Sequence, residues 1–233
     1  MKRSHSRGGV DPYFVAGFAG LLLSAAIFAY VLRRPTGPRP SDLAKTGVPT
    51  TFFKAYDTLG LSRVRGSATA PDTLLEITDF LCPSCGAAQR ILGKTIDSLV
   101  SAGALVHRVI EVPFQNGSLA VSVSAACVWE ADRDAYWRYR SVLFDAQRSV
   151  AAAYPVTPEL VRLAQFASFR DSTALRRCIE QRGTALSARL TLGVDAAVAA
   201  KIAFTPVFSL NGHVLPPRDL SLALSQPRQL RAR

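Results

Sequence analysis

In this chain of 233 residues, the side chains best suited to chemistry are two cysteines with two residues between them, in the stretch Phe80-Leu81-Cys82-Pro83-Ser84-Cys85. Such a pair is either a redox dithiol or half of a zinc site. Zinc normally takes four ligands, and the remaining candidates are scattered: Cys127 and Cys178 are single and far apart, and His5, His107 and His213 show no ligand spacing. The redox reading needs only the pair, because residues i and i+3 on a helical turn bring two sulfurs within bonding range. At the start of a helix a cysteine meets unpaired peptide N–H groups and the positive end of the macrodipole, and both favour the thiolate. Cys82 is therefore the expected nucleophile, and Cys85, one turn further in and more buried, the resolving thiol. Pro83 suits the first helical position, where its missing N–H costs nothing.

The pair works only if a helix begins at Cys82 and a strand leads into it, and the flanking sequence provides both. Asp72 to Phe80 is a short β-branched and apolar run that reads as a strand. From Pro83 to about Val100, Ile91, Leu92, Ile96, Leu99 and Val100 recur at helical spacing, with Gly103 just beyond as a stop. Ala104 to Val112 reads as a second strand before a turn over Pro113 to Gly117, so the three elements form a right-handed βαβ unit. Asn116-Gly117-Ser118 also matches a glycosylation acceptor and is taken simply as part of that turn. Ser118 to about Ala200 is rich in Ala, Arg and Leu and reads as helices broken near Tyr154-Pro155 and Asp171; its aromatic cluster of Trp129, Tyr136, Trp137, Tyr139 and Phe144 is read as core packing. Pro206 to Leu215 reads as two short strands around an Asn211-Gly212 turn.

Two segments together, Glu76 to Cys85 and Phe204-Thr205-Pro206-Val207-Phe208-Ser209-Leu210-Asn211-Gly212, resemble the DsbA-like branch of the thioredoxin superfamily. The resemblance covers about residues 60 to 225 and implies an α/β thioredoxin fold with an inserted helical subdomain. Its domain would be built from residues 60–116 and 201–225, with the insertion at 117–200. It further implies a cis Thr205-Pro206 bond facing the cysteine pair, where the backbone of Thr205 can meet an extended substrate; the alternative is an ordinary trans proline opening an edge strand. Glu76 stands at the offset before Cys82 where related proteins carry a buried acid. Desolvation there would raise its pKa and let it take the proton of Cys85; the alternative is a solvated glutamate. In some relatives a cysteine pair in the insertion forms a structural disulfide, which assigns Cys127 and Cys178 to each other here, against the alternative of two buried free thiols.

Outside that region the chain carries other signals. Tyr13 to Leu32 is an apolar run without a charge, about 20 residues and long enough to cross a bilayer, so residues 1–33 read as an amino-terminal transmembrane anchor rather than a cleaved signal peptide. Three basic residues lie on each side of it and leave orientation open; the cysteine usage suits an oxidising compartment and places the body outside the cytoplasm, in a periplasm or its equivalent. Residues 34–59 read as a linker, proline-rich at its start, with Thr51 to Leu59 a short helix on the body, and residues 226–233 as a basic tail. The net charge of +11 concentrates at the two ends, and the interspersed charges between them argue against a nucleic-acid partner.

The expected function is thus a membrane-anchored thiol-disulfide oxidoreductase that introduces disulfides into thiol-containing protein substrates and needs no dissociable cofactor. A membrane redox partner, DsbB-like or vitamin K epoxide reductase-like, would reoxidise it. Two rivals stay open: a reductase or isomerase serving, for example, cytochrome c assembly, and a tethered chaperone whose cysteines are structural.

Overall fold

The computed structural model of this chain describes residue 43, residues 45–154 and residues 156–226. The apolar run 13–32, the proline-rich start of the linker and residues 227–233 of the basic tail lie outside them. Among the described residues, no helix is long and apolar enough to cross a membrane.

The chain runs α1 (Thr50–Thr58), β1 (Ser62–Arg65), β2 (Asp72–Thr78), α2 (Pro83–Ser101) and β3 (Leu105–Glu111), and then through five consecutive helices. These are α3 (Ser118–Ala131), α4 (Arg133–Asp145), α5 (Gln147–Ala152), α6 (Val156–Phe166) and α7 (Ser172–Ala199). A hairpin of β4 (Val207–Leu210) and β5 (His213–Leu215) follows, and then α8 (Pro217–Ser225). The five strands make one mixed sheet in the order β1-β3-β2-β4-β5. β2 and β3 are parallel, as a helical crossover requires, while β1 pairs antiparallel with β3 and β4 pairs antiparallel with β2.

Strand alternation sends neighbouring side chains into two cores. Leu74 packs with Ala88, Leu92 and Ile96 of α2 and with Leu220 and Leu224 of α8. Leu75 and Ile77 pack into the larger core that the insertion helices and α1 close over. The buried stripe of α2 is Cys85, Ala88, Leu92 and Ile96, at helical spacing, and each full leucine or isoleucine burial contributes roughly 1.5–3 kcal/mol. Ile91, expected on that stripe, faces solvent.

The short helix expected on the body over Thr51 to Leu59 is α1, and its Phe52 and Tyr56 are fully buried. β1 was not anticipated: Ser-Arg-Val-Arg carries no strand periodicity of its own and is a strand because β3 offers it a free edge.

Two registers place the site. Ile77 lies opposite Val207, so Thr205 and Pro206 extend past the sheet at the end where β2 passes into Phe80-Leu81-Cys82. At the other end of β4, Asn211 and Gly212 both have positive φ (51° and 89°), the geometry of a two-residue hairpin turn. The Asn211 side chain accepts from the Thr73 N–H at 2.8 Å and donates to Asp72 at 2.9 Å, pinning the hairpin to the start of β2.

Candidate active site

Cys82 is the N-cap of α2, in extended conformation, with Pro83 in the first turn. Its carbonyl accepts from the N–H groups of Cys85 (3.0 Å) and Gly86 (3.2 Å), which closes the first turn of the helix. Both cysteines are free thiols, Cys82 6% exposed and Cys85 1%, so the sulfur nearer solvent is the one at the helix mouth. The Cys82 thiol is pulled down to about 5: hydrogen bonding from the Cys85 thiol outweighs burial, and the Thr205 side chain and the backbone N–H groups of Cys85 and Ser84 add to it. The same sharing of one hydrogen bond pushes Cys85 well above the ordinary thiol range, with burial acting in the same direction. One ionised and one protonated sulfur is the state in which a dithiol is ready for exchange.

The Thr205-Pro206 peptide bond is cis, and the Thr205 carbonyl oxygen lies 3.4 Å from the Cys82 sulfur across 123 residues of sequence. Thr205, Pro206 and Phe204 are each partly exposed, so the backbone beside the sulfur is open on one side.

The turn that delivers Cys82 is held by Asp79. Its carboxylate accepts from the Leu81 N–H (2.8 Å), the Gln115 N–H (2.7 Å) and the Ser118 hydroxyl, so one buried side chain fastens the end of β2 to the start of the insertion. From the other side, Gln147 at the start of α5 donates to the carbonyls of Phe80 and Cys82, both at 2.8 Å.

Glu76 is buried, and here the structure corrects the sequence reading. Burial alone would raise its carboxyl, but the Arg140 guanidinium and the hydrogen bond and charge of His107 outweigh burial and hold it down at about 2. Arg140 donates to one carboxylate oxygen and His107 Nε2 to the other, the latter at 3.0 Å. His107 Nδ1 accepts from Arg65 at 3.3 Å, which leaves the ring proton on Nε2, and burial lowers the imidazole to about 4. A carboxylate held by two donors is a poor proton acceptor, so Glu76 is not the raised acid expected at this offset. That property belongs to Glu111 on β3, opposite Thr78, whose carboxyl is raised by burial despite Arg63 and the Tyr136 hydroxyl that donates to it.

Cys127 and Cys178 are joined by a disulfide (S–S 2.08 Å, Cα–Cα 5.9 Å) that ties α3 to α7. The sequence does not single out Arg140, Gln147 or Glu111 as parts of the site, and it shows His107 only as a histidine without ligand spacing. No local motif marks any of them; each gains its place through partners 25 to 67 residues away.

A protein-family model described as Thioredoxin matches residues 58–224, most of the chain. "Disulfide bond formation protein D" of Bacillus subtilis is 30% identical over 100 residues, covering 42% of this chain and 45% of that protein. The matches span less than half the length of the curated relatives. Among solved structures, BdbD from Bacillus subtilis in its oxidised form superposes with a TM-score of 0.61 at 22% identity, over 76% of this chain and 94% of that one. Reduced DsbA from Mycobacterium tuberculosis gives 0.58 at 22% identity, over 71% and 91%. At these identities the structural likeness shows the fold alone.

Proposed function

This chain belongs to the thioredoxin family, and we infer from that membership together with the geometry of the cysteine pair that it is a thiol-disulfide oxidoreductase acting on protein thiols. The observation that carries the reading is geometric: two free thiols in the first turn of α2, with Cys82 at the N-cap 3.4 Å from the carbonyl oxygen of the cis Thr205-Pro206 bond.

In the oxidised enzyme a substrate thiolate attacks Cys82 Sγ. A substrate–Cys82 bond forms, the Cys82–Cys85 bond breaks, and Cys85 leaves with the electron pair and takes up a proton. A second substrate thiolate then attacks the substrate sulfur of the mixed disulfide and expels Cys82 as the thiolate. The substrate gains a disulfide and the enzyme dithiol holds the two electrons. Cys82 is the better leaving group because its thiolate is the stabilised one. The open backbone of Thr205 beside it suits an extended substrate segment, which can pair with a free strand edge.

The same acidity supports one direction of flow over the other. A Cys82 held at about 5 is ionised at neutral pH, which stabilises the dithiol over the disulfide and makes the oxidised enzyme an oxidant. The reading is therefore a disulfide-introducing oxidase, anchored by residues 13–32 with its body outside the cytoplasm and reoxidised by a membrane partner of the DsbB or vitamin K epoxide reductase type. Glu76, paired with Arg140 and His107, would act as a fixed charge within the body and not as a proton carrier.

The reduction potential of the full-length protein, equilibrated with glutathione buffers, tests the direction. A value above the poise of the compartment is expected; a value well below it would make the protein a reductase. A carboxyl-terminal reporter active only in the cytoplasm would overturn the orientation, and full complementation by the Cys82→Ala protein would remove the catalytic reading altogether.

A further inference from the structure

One amide side chain reaches from the helical insertion to both sides of the reactive cysteine. Gln147 Nε2 has two hydrogens and two acceptors, the carbonyl oxygens of Phe80 and Cys82, each at 2.8 Å. Since both partners can only accept, the amide nitrogen must be the atom facing them. Its oxygen then lies over Gly86, where an added Cβ would sit 2.3 Å from Gln147 Oε1. The amide is therefore fixed on three sides, by two carbonyls and by a helix position that only glycine leaves empty.

The two carbonyls bracket Leu81 and Cys82, the bend in which the chain leaves β2 and enters α2. The Cys82 carbonyl also closes the first helical turn by accepting from Cys85 and Gly86. Gln147 thus grips the same oxygen that orients the N–H groups at the helix mouth. Asp79 holds this bend through N–H groups, and Gln147 holds it through C=O groups, so the two fastenings are complementary.

We propose that Gln147 is a positioning residue that, from the insertion, sets the bend carrying Cys82 and so keeps the peptide N–H groups of α2 aimed at its sulfur. The proposal rests on the oxidoreductase reading for its purpose, but its physical content is the acidity of one thiol.

The experiment measures the pH dependence of Cys82 alkylation by iodoacetamide in the full-length reduced protein, with Cys82 and Cys85 resolved by peptide mapping. The variants are Gln147→Ala, Gln147→Glu, Gly86→Ala, and Gly86→Ala combined with Gln147→Ala. In Gln147→Ala the midpoint is expected to rise by about one pH unit, a roughly tenfold loss of thiolate below the midpoint. Gln147→Glu keeps the shape but cannot donate when ionised, and should raise it further. Gly86→Ala displaces the amide from the other side and should raise the midpoint alone, yet add nothing once Gln147 has been removed. A midpoint unmoved to within about 0.2 unit in both folded Gln147 variants, whatever their thermal stability, would overturn the proposal and leave Gln147 a brace of the fold. Exchange of a model peptide by the wild-type protein, run in parallel, tests the underlying reading separately, because its failure would leave the acidity result intact.

Discussion

Arg140 is the residue on which the buried polar layer balances. It is almost fully inaccessible, it faces Glu76 and Gln89, and its guanidinium stacks 4.9 Å from the ring centre of Phe144. Replacing it with methionine would leave a carboxylate buried without its countercharge, which typically costs about 3–5 kcal/mol. Urea denaturation should show that loss, and Glu76→Gln in the same chain should restore much of it. The acid limb of stability follows from the same layer. His107 sits at about 4 in the folded chain against an ordinary 6.5, so its contribution is complete above 6.5 and is lost as pH falls toward 4. Glu76, held at about 2 against 4.5, is lost in turn below 4.5. Glu111, shifted upward, works in the opposite sense and softens the decline. The urea midpoint should therefore begin to fall already below pH 6.5, and His107→Gln should flatten that first part of the decline. Little of this was legible in the sequence. The offset of Glu76 from Cys82 marked a buried acid, but the sign of its shift is set by Arg140, 64 residues further on.

Elements whose signals are local were read well, and those that depend on a neighbour were not. The Cys-Pro-Ser-Cys start of α2, the Gly103 stop with its positive φ of 68° and the Asn-Gly hairpin all act within a few residues, and each stands where the pattern put it. β1 exists through pairing, and Ile91 fits the apolar periodicity of α2 yet falls outside the contact that helix makes. Helix boundaries inside the insertion rest on caps. Asp132 ends α3 and begins α4, where its carboxylate accepts from the Ala135 N–H at 2.9 Å. Asp132→Ala removes that acceptor and should lower stability by about 1 kcal/mol. Thermal melts of the oxidised protein would record the change, and Cys82 reactivity should be untouched, since α4 carries its site residues well inside its length.

Over the whole molecule, the Cys127–Cys178 disulfide closes 51 residues of the insertion into a loop. In the chain-entropy account such a loop is worth about 4 kcal/mol. A Cys127→Ser, Cys178→Ser double variant should lose stability on that scale, seen as a lower denaturant midpoint. It should still exchange disulfides at temperatures where it is folded, because neither sulfur belongs to the Cys82–Cys85 pair. The thiol pair and the structural bond belong to different elements: one sits at the mouth of α2, the other joins α3 to α7.

The placement of Thr205 beside Cys82 has a consequence for the timing of synthesis. A chain emerging from the ribosome shows its Cys-Pro-Ser-Cys stretch long before the neighbour that completes the pocket has been translated, 123 residues later. Until then the sulfur at position 82 has neither that carbonyl oxygen nor the cis Thr205-Pro206 backbone beside it, so the pocket is finished only when the last part of the sheet has been made.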